Sequence, residues 1–589
     1  MGWEAWFTLL VAAAVLIVLV RDLAPPSAAM AGGMVAVLVA GVVTPSQALS
    51  GFSNPAPITV AALYVLARAV EKTGVLSPVV RFALGDGSSP RRSLARMVVP
   101  TSAVSAFLNN TPVVAMLIPE VSSWAEERDH SPSIYLMPLS FAALLGGVVT
   151  LIGTSTNIVV SGLLVDAGSE PFGFFELGRV GLPIALGGAI LLIALAPRLL
   201  RARRSARQEL EEETRAFVVD MRVEPGGPLD GQVVETAGLR HLRTTFLAAI
   251  EREGDLLAPV SPDTVLHGGD RLRFIGRAGD VMDLQTTRGL ASAETPHLLD
   301  LNTDRARYYE VVVGPQSRLV GRTLMEVGFR ERYQAVVMAI HRAGHRIDAK
   351  LGQVRLRVGD TLLLLADPGF RERWRDRTDF LMISGGLGSP PVAIGKAWAV
   401  GAVALGIILT AATGILPILH ASLLGALILV GIGVLTPGEA RSAVDLDVVL
   451  LIASAFGLGA AIETSGLADV VSGGLVGAFE GLGDTGVLLG MVVATVVLTG
   501  LVTNNAAALL MFPIALSTAA STGVDIRPLA VTIAVSASMD FLTPIGYQTN
   551  TMVYGPGGYR FFDYTRLGAP LTLLTVVIIV ILVPMAWPL

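Results

Sequence analysis

Two pairs of adjacent asparagines interrupt apolar stretches of the chain. Asn109-Asn110 lie in the middle of Met97–Pro119, and Asn504-Asn505 lie near the other end of the sequence. A side-chain amide is costly to bury in hydrocarbon, so each pair needs bonding partners or a ligand. Amide, hydroxyl and carbonyl oxygens are ligands that a hard cation prefers. The two pairs are therefore candidates for ion binding inside an apolar region.

Each asparagine pair is followed about forty residues later by a second polar interruption, Gly153–Asn157 in the first case and Gly546–Asn550 in the second. These landmarks, together with Glu71 and Glu463, recur at separations of 392–395 residues, which predicts an internal duplication. A helix broken at such a point frees backbone donors and acceptors, and a membrane tolerates these only around a protected cavity. The breaks of both halves are therefore predicted to meet at one site, as in secondary transporters.

The residue types at these breaks predict a sodium site, because they offer only oxygen ligands. The predicted cation-binding residues are Ser105, Asn109, Asn110, Gly153, Asn157, Thr503, Asn505, Gly546 and Asn550. The alternative for the asparagines is a structural role as helix caps. Asp540, an acid shortly before the second Gly–Asn break, is predicted to be an interfacial residue held by a nearby amide, with a cation ligand as the alternative.

The segments that carry the breaks contain no basic side chain. Neither Arg nor Lys occurs within Met97–Pro119, Leu501–Pro513 or Pro544–Asn550. If an anion binds between these segments, bound cations and the positive ends of helices must supply the opposing charge. Such an anion site is complete only when cations occupy it, so binding of the anion is coupled to binding of the cations. A proton-coupled carrier more often shows a buried acid or histidine pair, so the sequence favours sodium.

Composition places these breaks in a membrane protein. The mean hydropathy is +0.64 and 52% of residues are hydrophobic, whereas residues 198–379 hold 56 of the 91 charged side chains. That asymmetry predicts a membrane domain with one soluble insert. The absence of cysteine excludes disulfides, thiolate metal sites and cysteine nucleophiles. No basic patch interleaved with aromatics indicates nucleic acid.

The membrane domain is predicted to consist of two halves. The first half covers residues 1–197, with a retained first span at Trp6–Val20 and a hairpin near 85–119. The second half covers residues 397–589, with a hairpin near 470–513. Counting hairpins separately predicts roughly eleven spans. Five arginines in Arg198–Arg207 directly follow a span, which places the insert on the cytoplasmic side.

The insert contains a duplication of its own. Met221–Leu284 and Val311–Ala366 share an opening strand, a turn at Gly231 or Gly321, and a further strand. In each unit the next charged turn contains Gly254 or Gly344, and a Gly-Asp turn then opens a buried strand. The predicted domains are residues 208–290 and 305–380.

The paired Asn-Asn tips, the paired Gly–Asn breaks and the two-fold repeat resemble the divalent anion:sodium symporter (DASS, INDY-like) family. In that family each hairpin tip carries Ser-Asn-Thr. Here the central asparagine is kept twice, the serine is replaced twice and the threonine is lost once. Over residues of about 28–197 and 397–589, the resemblance implies an elevator motion in a homodimer. The substrate-binding residues that it implies are Asn109, Asn110, Thr111, Asn504, Asn505 and Ala506.

The insert resembles two tandem TrkA C-terminal (RCK-C) domains, which are ligand-sensing modules. Permeases of this family that carry such a pair are often sulfate transporters, so the resemblance implies sulfate as the substrate. It also implies a cytosolic small-molecule ligand on the insert.

The predicted fold is a polytopic α-helical membrane protein with inverted repeats, two re-entrant hairpins and a cytosolic α+β insert of two RCK-C-like domains. The predicted function is sodium-coupled symport of a divalent anion, most simply sulfate, in the cell inner (plasma) membrane, where lipid surrounds the chain. No cofactor is expected besides sodium as the coupling ion, nor is a nucleic-acid partner or an enzymatic activity. A dicarboxylate of the succinate or malate type remains open as substrate. A ligand-gated channel would need a selectivity filter such as Thr-Val-Gly-Tyr-Gly, which the sequence lacks.

Overall fold

The computed structural model divides the chain into two compact units, a helical unit (1–202, 391–553 and 560–589) and an insert unit (203–390 with 554–559). The structure describes residues 2–21, 23–74, 89–126, 128, 130–202, 218–239, 246–252, 255–258, 260–275, 289–292, 307–314, 317–342, 345–347, 351–367, 369–374, 379–384, 396–544 and 546–588.

The first half of the helical unit contains ten described α-helices. The limits of these helices follow local sequence signals, as α5 (Pro55–Thr73) shows. It begins after Asn54, whose side chain accepts a hydrogen bond from the Ala56 N–H at 2.8 Å, and it ends before Gly74, whose φ of 58° lies in the left-handed region. The helices are α1 Trp3–Val20, α2 Pro26–Val39, α3 Pro45–Ala48, α4 Ser50–Ser53, α5 Pro55–Thr73, α6 Pro90–Ser105, α7 Asn110–Glu126, α8 Leu136–Gly147, α9 Ser155–Asp166 and α10 Gly178–Leu199.

The insert unit contains two five-stranded antiparallel sheets with the same strand order. The orders are β3-β2-β4-β1-β5 and β8-β7-β9-β6-β10, so the second sheet repeats the first strand for strand. The elements are β1 Val218–Val223, β2 Phe246–Arg252, β3 Asp255–Leu257, β4 Arg271–Ile275, β5 Leu290–Ser292, β6 Arg307–Val313, α11 Phe329–Tyr333, β7 Ala335–Arg342, β8 His345–Arg346, β9 Thr361–Ala366, α12 Phe370–Trp374 and β10 Phe380–Ser384.

An ion pair between a half-buried arginine and a buried aspartate recurs in the two sheets at the turn that opens β4 or β9. Arg252 donates two hydrogen bonds to the Asp270 carboxylate, from Nε at 2.8 Å and from Nη2 at 2.7 Å. Arg342 donates to Asp360 through the same two atoms, each at 2.7 Å. The aspartates of the Gly-Asp turns predicted from the sequence therefore have a structural role, which is to bond an arginine of the neighbouring strand. Gly231 and Gly321 have φ of 84° and 76°, which favours glycine there. Gly254 and Gly344 lie outside the described residues.

The two sheets pack on each other through a small apolar cluster. Ala248 of β2 lies against Val336 and Met338 of β7, and Leu363 and Leu365 of β9 join the same cluster. The opposite faces of β7 and β9 point into the core of their own domain, which explains why β9 is apolar at nearly every position. The tandem sheets therefore form one body.

The second half of the helical unit repeats the helix order of the first. Eight of its helices begin 390–394 residues after a helix of the first half, from α13 after α1 to α21 after α9. A two-fold axis relating the halves stays a prediction. The helices are α13 Ala397–Ala412, α14 Ile418–Gly431, α15 Pro437–Ala443, α16 Leu446–Thr464, α17 Leu467–Phe479, α18 Gly483–Thr499, α19 Asn504–Thr522, α20 Ile526–Ser538, α21 Gln548–Tyr554 and α22 Phe561–Ala586.

Five described helices are long and apolar enough to cross a membrane: α1, α10, α16, α19 and α22. The bent pair α17 and α18 would raise that number to six, and six further apolar helices are shorter. By length and composition the helical unit is thus consistent with a polytopic membrane protein, while the count of about eleven spans stays a prediction.

Two short helices form the centre of the helical unit. Every residue of α8 is buried, and α20 is buried from Pro528 to its end. Each of them leads directly into one of the Gly–Asn breaks. The breaks therefore lie in the best-packed part of the unit, where exposed backbone groups can be held by neighbours.

Candidate functional site

The first asparagine pair lies at a tight connection between α6 and α7. Asn110 is the first residue of α7 and is 1% exposed, and its Oδ1 accepts a hydrogen bond from Ser105 Oγ, on the last residue of α6, at 2.7 Å. A Cβ added to Gly147 would lie 2.7 Å from the same Oδ1, so the α8 glycine is what lets the amide approach. Asn109 lies half-buried in the connection, next to Tyr64 of α5.

The second pair lies at the corresponding connection between α18 and α19. Thr499 ends α18, and its Oγ1 donates to the Ala537 carbonyl at 2.7 Å and lies 3.3 Å from Asn504 Oδ1. Thr503 caps α19 by accepting from the backbone N–H of Ala506 at 3.4 Å. Asn504 is therefore the counterpart of Asn110, and Thr499 the counterpart of Ser105. The separation of 395 residues in the sequence pairs Asn110 with Asn505, whereas the structure pairs Asn110 with Asn504, one residue earlier.

The two Gly–Asn breaks are built in the same way. Asn157 Nδ2 donates to the carbonyls of Gly147 and Thr150, ten and seven residues earlier, at 3.1 and 2.8 Å. Asn550 Nδ2 repeats this pattern with Asp540 and Thr543, at 2.8 and 3.1 Å. These two asparagines, both predicted to bind the cation, thus have a structural role in the breaks. Whether they also contact an ion stays a prediction.

The tip of each half bonds to the Gly–Asn break of the other half. In one direction, Asn110 Nδ2 donates to the Tyr547 hydroxyl at 2.8 Å and Thr111 Oγ1 to Gln548 Oε1 at 3.3 Å. In the other, Asn505 Oδ1 accepts from the hydroxyls of two residues, Ser155 and Thr156, each at 3.2 Å. The structure therefore brings all four polar breaks together.

Helix ends give this region an electrostatic pattern that suits ions of both signs. The N-termini of α7, α9 and α19 begin at Asn110, Ser155 and Asn504, so their partial positive ends lie at the breaks. The C-termini of α6 and α18 end at the same connections and present carbonyl oxygens. Helix N-termini favour anions, and unwound carbonyls with helix C-termini favour sodium.

Several buried polar atoms at the breaks have no hydrogen-bond partner among the described residues. They are Asn157 Oδ1, Asn504 Nδ2 and Asp540 Oδ2. Buried polar groups are nearly always paired, so these three atoms are candidates for contact with a ligand. No group of three His, Cys, Asp or Glu side chains suited to a metal occurs in the described part of the chain.

Several members of this region were not predicted from the sequence. Tyr547 and Gln548 bond the first tip, and Ser155 and Thr156 bond the second. Ser140 of α8 also donates to Asn550 Oδ1 at 2.7 Å. The signal in the sequence that could have identified these residues is repetition, since both breaks end in Thr-Asn, at positions 156–157 and 549–550.

Of the remaining predicted residues, Gly153 and Gly546 lie at closely packed points of the breaks. An added Cβ would lie 2.5 Å from Gly147 O in the first case and 2.2 Å from Asp540 Oδ2 in the second. Ala506 is fully buried, and its N–H is the group that Thr503 caps. The register and packing therefore require small residues at these three positions.

Comparison with known proteins assigns the family. The profile of the citrate transporter family (CitMHS) matches residues 14–536 and 407–589. An uncharacterised transporter of Synechocystis is 37% identical, covering 92% of this chain and 90% of its own. A Chlamydomonas reinhardtii protein named for a proposed role in the response to sulfur deprivation is 35% identical, covering 92% and 95%. Sodium/sulfate cotransporter 1 of the same alga is 25% identical, covering 90% and 83%.

These matches extend over both halves and the insert, so they concern the whole chain rather than one domain. They bear out the DASS-like permease resemblance and the assignment to transport rather than to enzymatic catalysis. They do not address the RCK-C resemblance of the insert. The chain belongs to the citrate transporter (CitMHS) family of DASS-like permeases and is a membrane transporter.

Proposed function

We propose that this transporter carries sulfate together with sodium ions, and that the four polar breaks form the shared binding site. The observation that carries the proposal is the reciprocal bonding of each tip to the opposite break, with Asn110 bonding Tyr547 and Asn505 bonding Ser155. The N-termini of α7, α9, α19 and the short α21 lie there without a basic side chain in the break segments. A divalent anion in such a site needs cations to balance its charge.

Sulfate is the preferred substrate on two grounds. Similar proteins that cover most of this chain are named sodium/sulfate cotransporters. A compact tetrahedral dianion can also accept hydrogen bonds from several sides, which suits hydroxyls and amides that converge from two halves. The family description, citrate transporter, makes a carboxylate the second candidate.

The proposed movement is an elevator, in which the tips and breaks travel together with bound ions. Its support is the packing: each tip is tied to the break of the opposite half, so the four segments can move as one body. The proposed assembly is a homodimer in the inner (plasma) membrane. These features follow from the resemblance and await their own tests.

Uptake into proteoliposomes tests the proposal. Purified full-length protein should accumulate labelled sulfate when sodium is present outside, and much less when potassium replaces it. Labelled succinate and citrate should enter slowly, and neither should compete well with sulfate. Equal uptake in potassium would refute sodium coupling, and faster uptake of succinate or citrate would replace sulfate by a carboxylate.

For the insert we propose a cytoplasmic position and a regulatory role. Its two sheets form one body placed between the two membrane halves in sequence, and Arg198–Arg207 precede it. Met325 is 70% exposed, so Met325→Cys in this cysteine-free chain gives a single labelling site. An impermeant maleimide should label it in inside-out vesicles and not in intact cells. A chain with Gln208–Arg377 replaced by a Gly/Ser linker should lose its uptake response to cytosolic extract, and an unchanged response would refute regulation.

A further inference from the structure

Asp540 is a buried carboxylate, for which the sequence left a cation ligand as the alternative to an interfacial residue. It follows the end of α20, two residues after Ser538, and is 2% exposed. Its Oδ2 has no hydrogen-bond partner among the described residues, and Thr543 is its hydrogen-bonding neighbour. Its burial makes the expectation of an interfacial residue wrong, although the Asn550 amide does bond its backbone carbonyl. An ionised carboxylate in this position requires a positive partner.

A second oxygen lies close to the free oxygen of Asp540. A Cβ built on Gly546 would lie 2.2 Å from Asp540 Oδ2 and 2.5 Å from the carbonyl oxygen of Thr499. Both oxygens therefore face the same side of Gly546, within reach of a single ion. Thr499 ends α18, so its carbonyl is at the negative end of that helix. A side chain at this position would displace both oxygens, so glycine is what lets them lie this close together.

The first half lacks this carboxylate. Asn157 bonds the carbonyl of Gly147, and Asn550 bonds the carbonyl of Asp540 at the same ten-residue spacing, so Gly147 and Asp540 are counterparts. In the first half the space beside Gly147 is occupied by the amide of Asn110. Two otherwise matching breaks therefore differ in charge: one offers neutral amide and carbonyl oxygens, and the other adds a carboxylate.

We propose that Asp540 Oδ2 and the Thr499 carbonyl are ligands of a cation site in the second half that carries a fixed negative charge. The inference rests on the proposed sodium-coupled function and adds that the two halves bind sodium with different affinity. The second-half site binds sodium more tightly, since its ligand set includes an anion, and it is the site that fills at low sodium. The first-half site then fills together with the transported anion.

The test compares wild-type protein with Asp540→Asn, which keeps the side-chain shape and removes the charge. Asp469→Asn is the matched control, because Asp469 is an exposed acid of the same half that bonds Ser517. Two readouts are taken: the sodium dependence of the unfolding temperature of detergent-purified protein, and the sodium concentration for half-maximal sulfate uptake. Asp540→Asn should raise that concentration by about tenfold or more and shrink the sodium-dependent stabilisation, while the control matches wild type.

The unfolding temperature without sodium gives a further expectation. Asp540→Asn should unfold at the same or a higher temperature there, because the variant removes an unpaired buried charge. Asp540→Ser removes the charge without added volume and serves if the asparagine variant does not fold. Unchanged sodium dependence in either folded variant would overturn the inference while the function stands. Wild-type protein without any sodium response would overturn both.

Discussion

Asn110→Asp is the substitution that separates anion binding from cation binding at the first tip. The aspartate has the shape of the asparagine and can still accept from Ser105 Oγ, which bonds the present Oδ1 at 2.7 Å. The Tyr547 hydroxyl, now an acceptor at 2.8 Å, can turn and donate to the new carboxylate. The variant should therefore fold, and its main change is one negative charge at the N-terminus of α7.

The size of the effect follows from that charge. Two like unit charges about 4 Å apart repel by about 4 kcal/mol at an effective dielectric constant of about 20. Repulsion of that order corresponds to an increase of about a thousandfold in the half-saturating sulfate concentration. The same charge attracts a cation, so the half-saturating sodium concentration should fall.

The assay measures sulfate uptake by proteoliposomes over a range of both ions. Gln47→Glu is the matched control: it makes the same amide-to-acid change at an exposed side chain whose Oε1 accepts from Thr44, a role that glutamate retains. The control should match wild type. A variant with unchanged sulfate dependence, or with sulfate and sodium affinities shifted in the same direction, would refute the placement of Asn110 between the two ions.

Two further predictions concern stability. Burial opposes ionisation of Glu176, but its hydrogen bonds from Arg527 at 2.6 and 2.8 Å outweigh burial and lower the pKa of that carboxyl. The pair therefore stabilises the fold above pH about 4.5 and loses this effect as the pH falls. Arg527→Gln should cost about 3 kcal/mol, seen as a lower unfolding temperature at pH 7, with less difference from wild type in acid; an equal loss at both pH values contradicts this. In the insert, burial would raise the pKa of Asp270, but Arg252 and the His267 N–H lower it. Asp270→Asn should speed hydrogen exchange in β2 and β4 of the full chain more than in β7, and equal acceleration in both sheets would contradict a local role for this ion pair.

The sequence was sufficient for the features that depend on repetition. The two asparagine tips, the Gly–Asn breaks and the duplicated insert could all be found because each pattern occurs twice at a nearly constant separation. The structure has helix ends at both tips, with Asn110 and Asn504 as the first residues of their helices. The family resemblance rested on the same residues and agrees with the profile match.

The remaining features depend on packing that a single sequence does not reveal. The register of the second tip was misjudged by one residue because Asn504 and Asn505 are adjacent, and they are distinguished by the start of α19 at Asn504 and its contact with Thr499. The role of Gly147 depends on how closely α8 approaches Asn110. Asp540 was misplaced because an isolated acid after an apolar helix resembles an interfacial residue until its burial is known.

The central claim is that the anion site is complete only when sodium is bound. Equilibrium binding of labelled sulfate to purified full-length protein, at constant ionic strength with potassium replacing sodium, tests it most directly. The sulfate Kd should fall steeply as sodium rises, and sulfate should tighten sodium binding by the same factor, because coupling between two ligands is reciprocal. A sulfate Kd that is the same in sodium and in potassium would contradict the account.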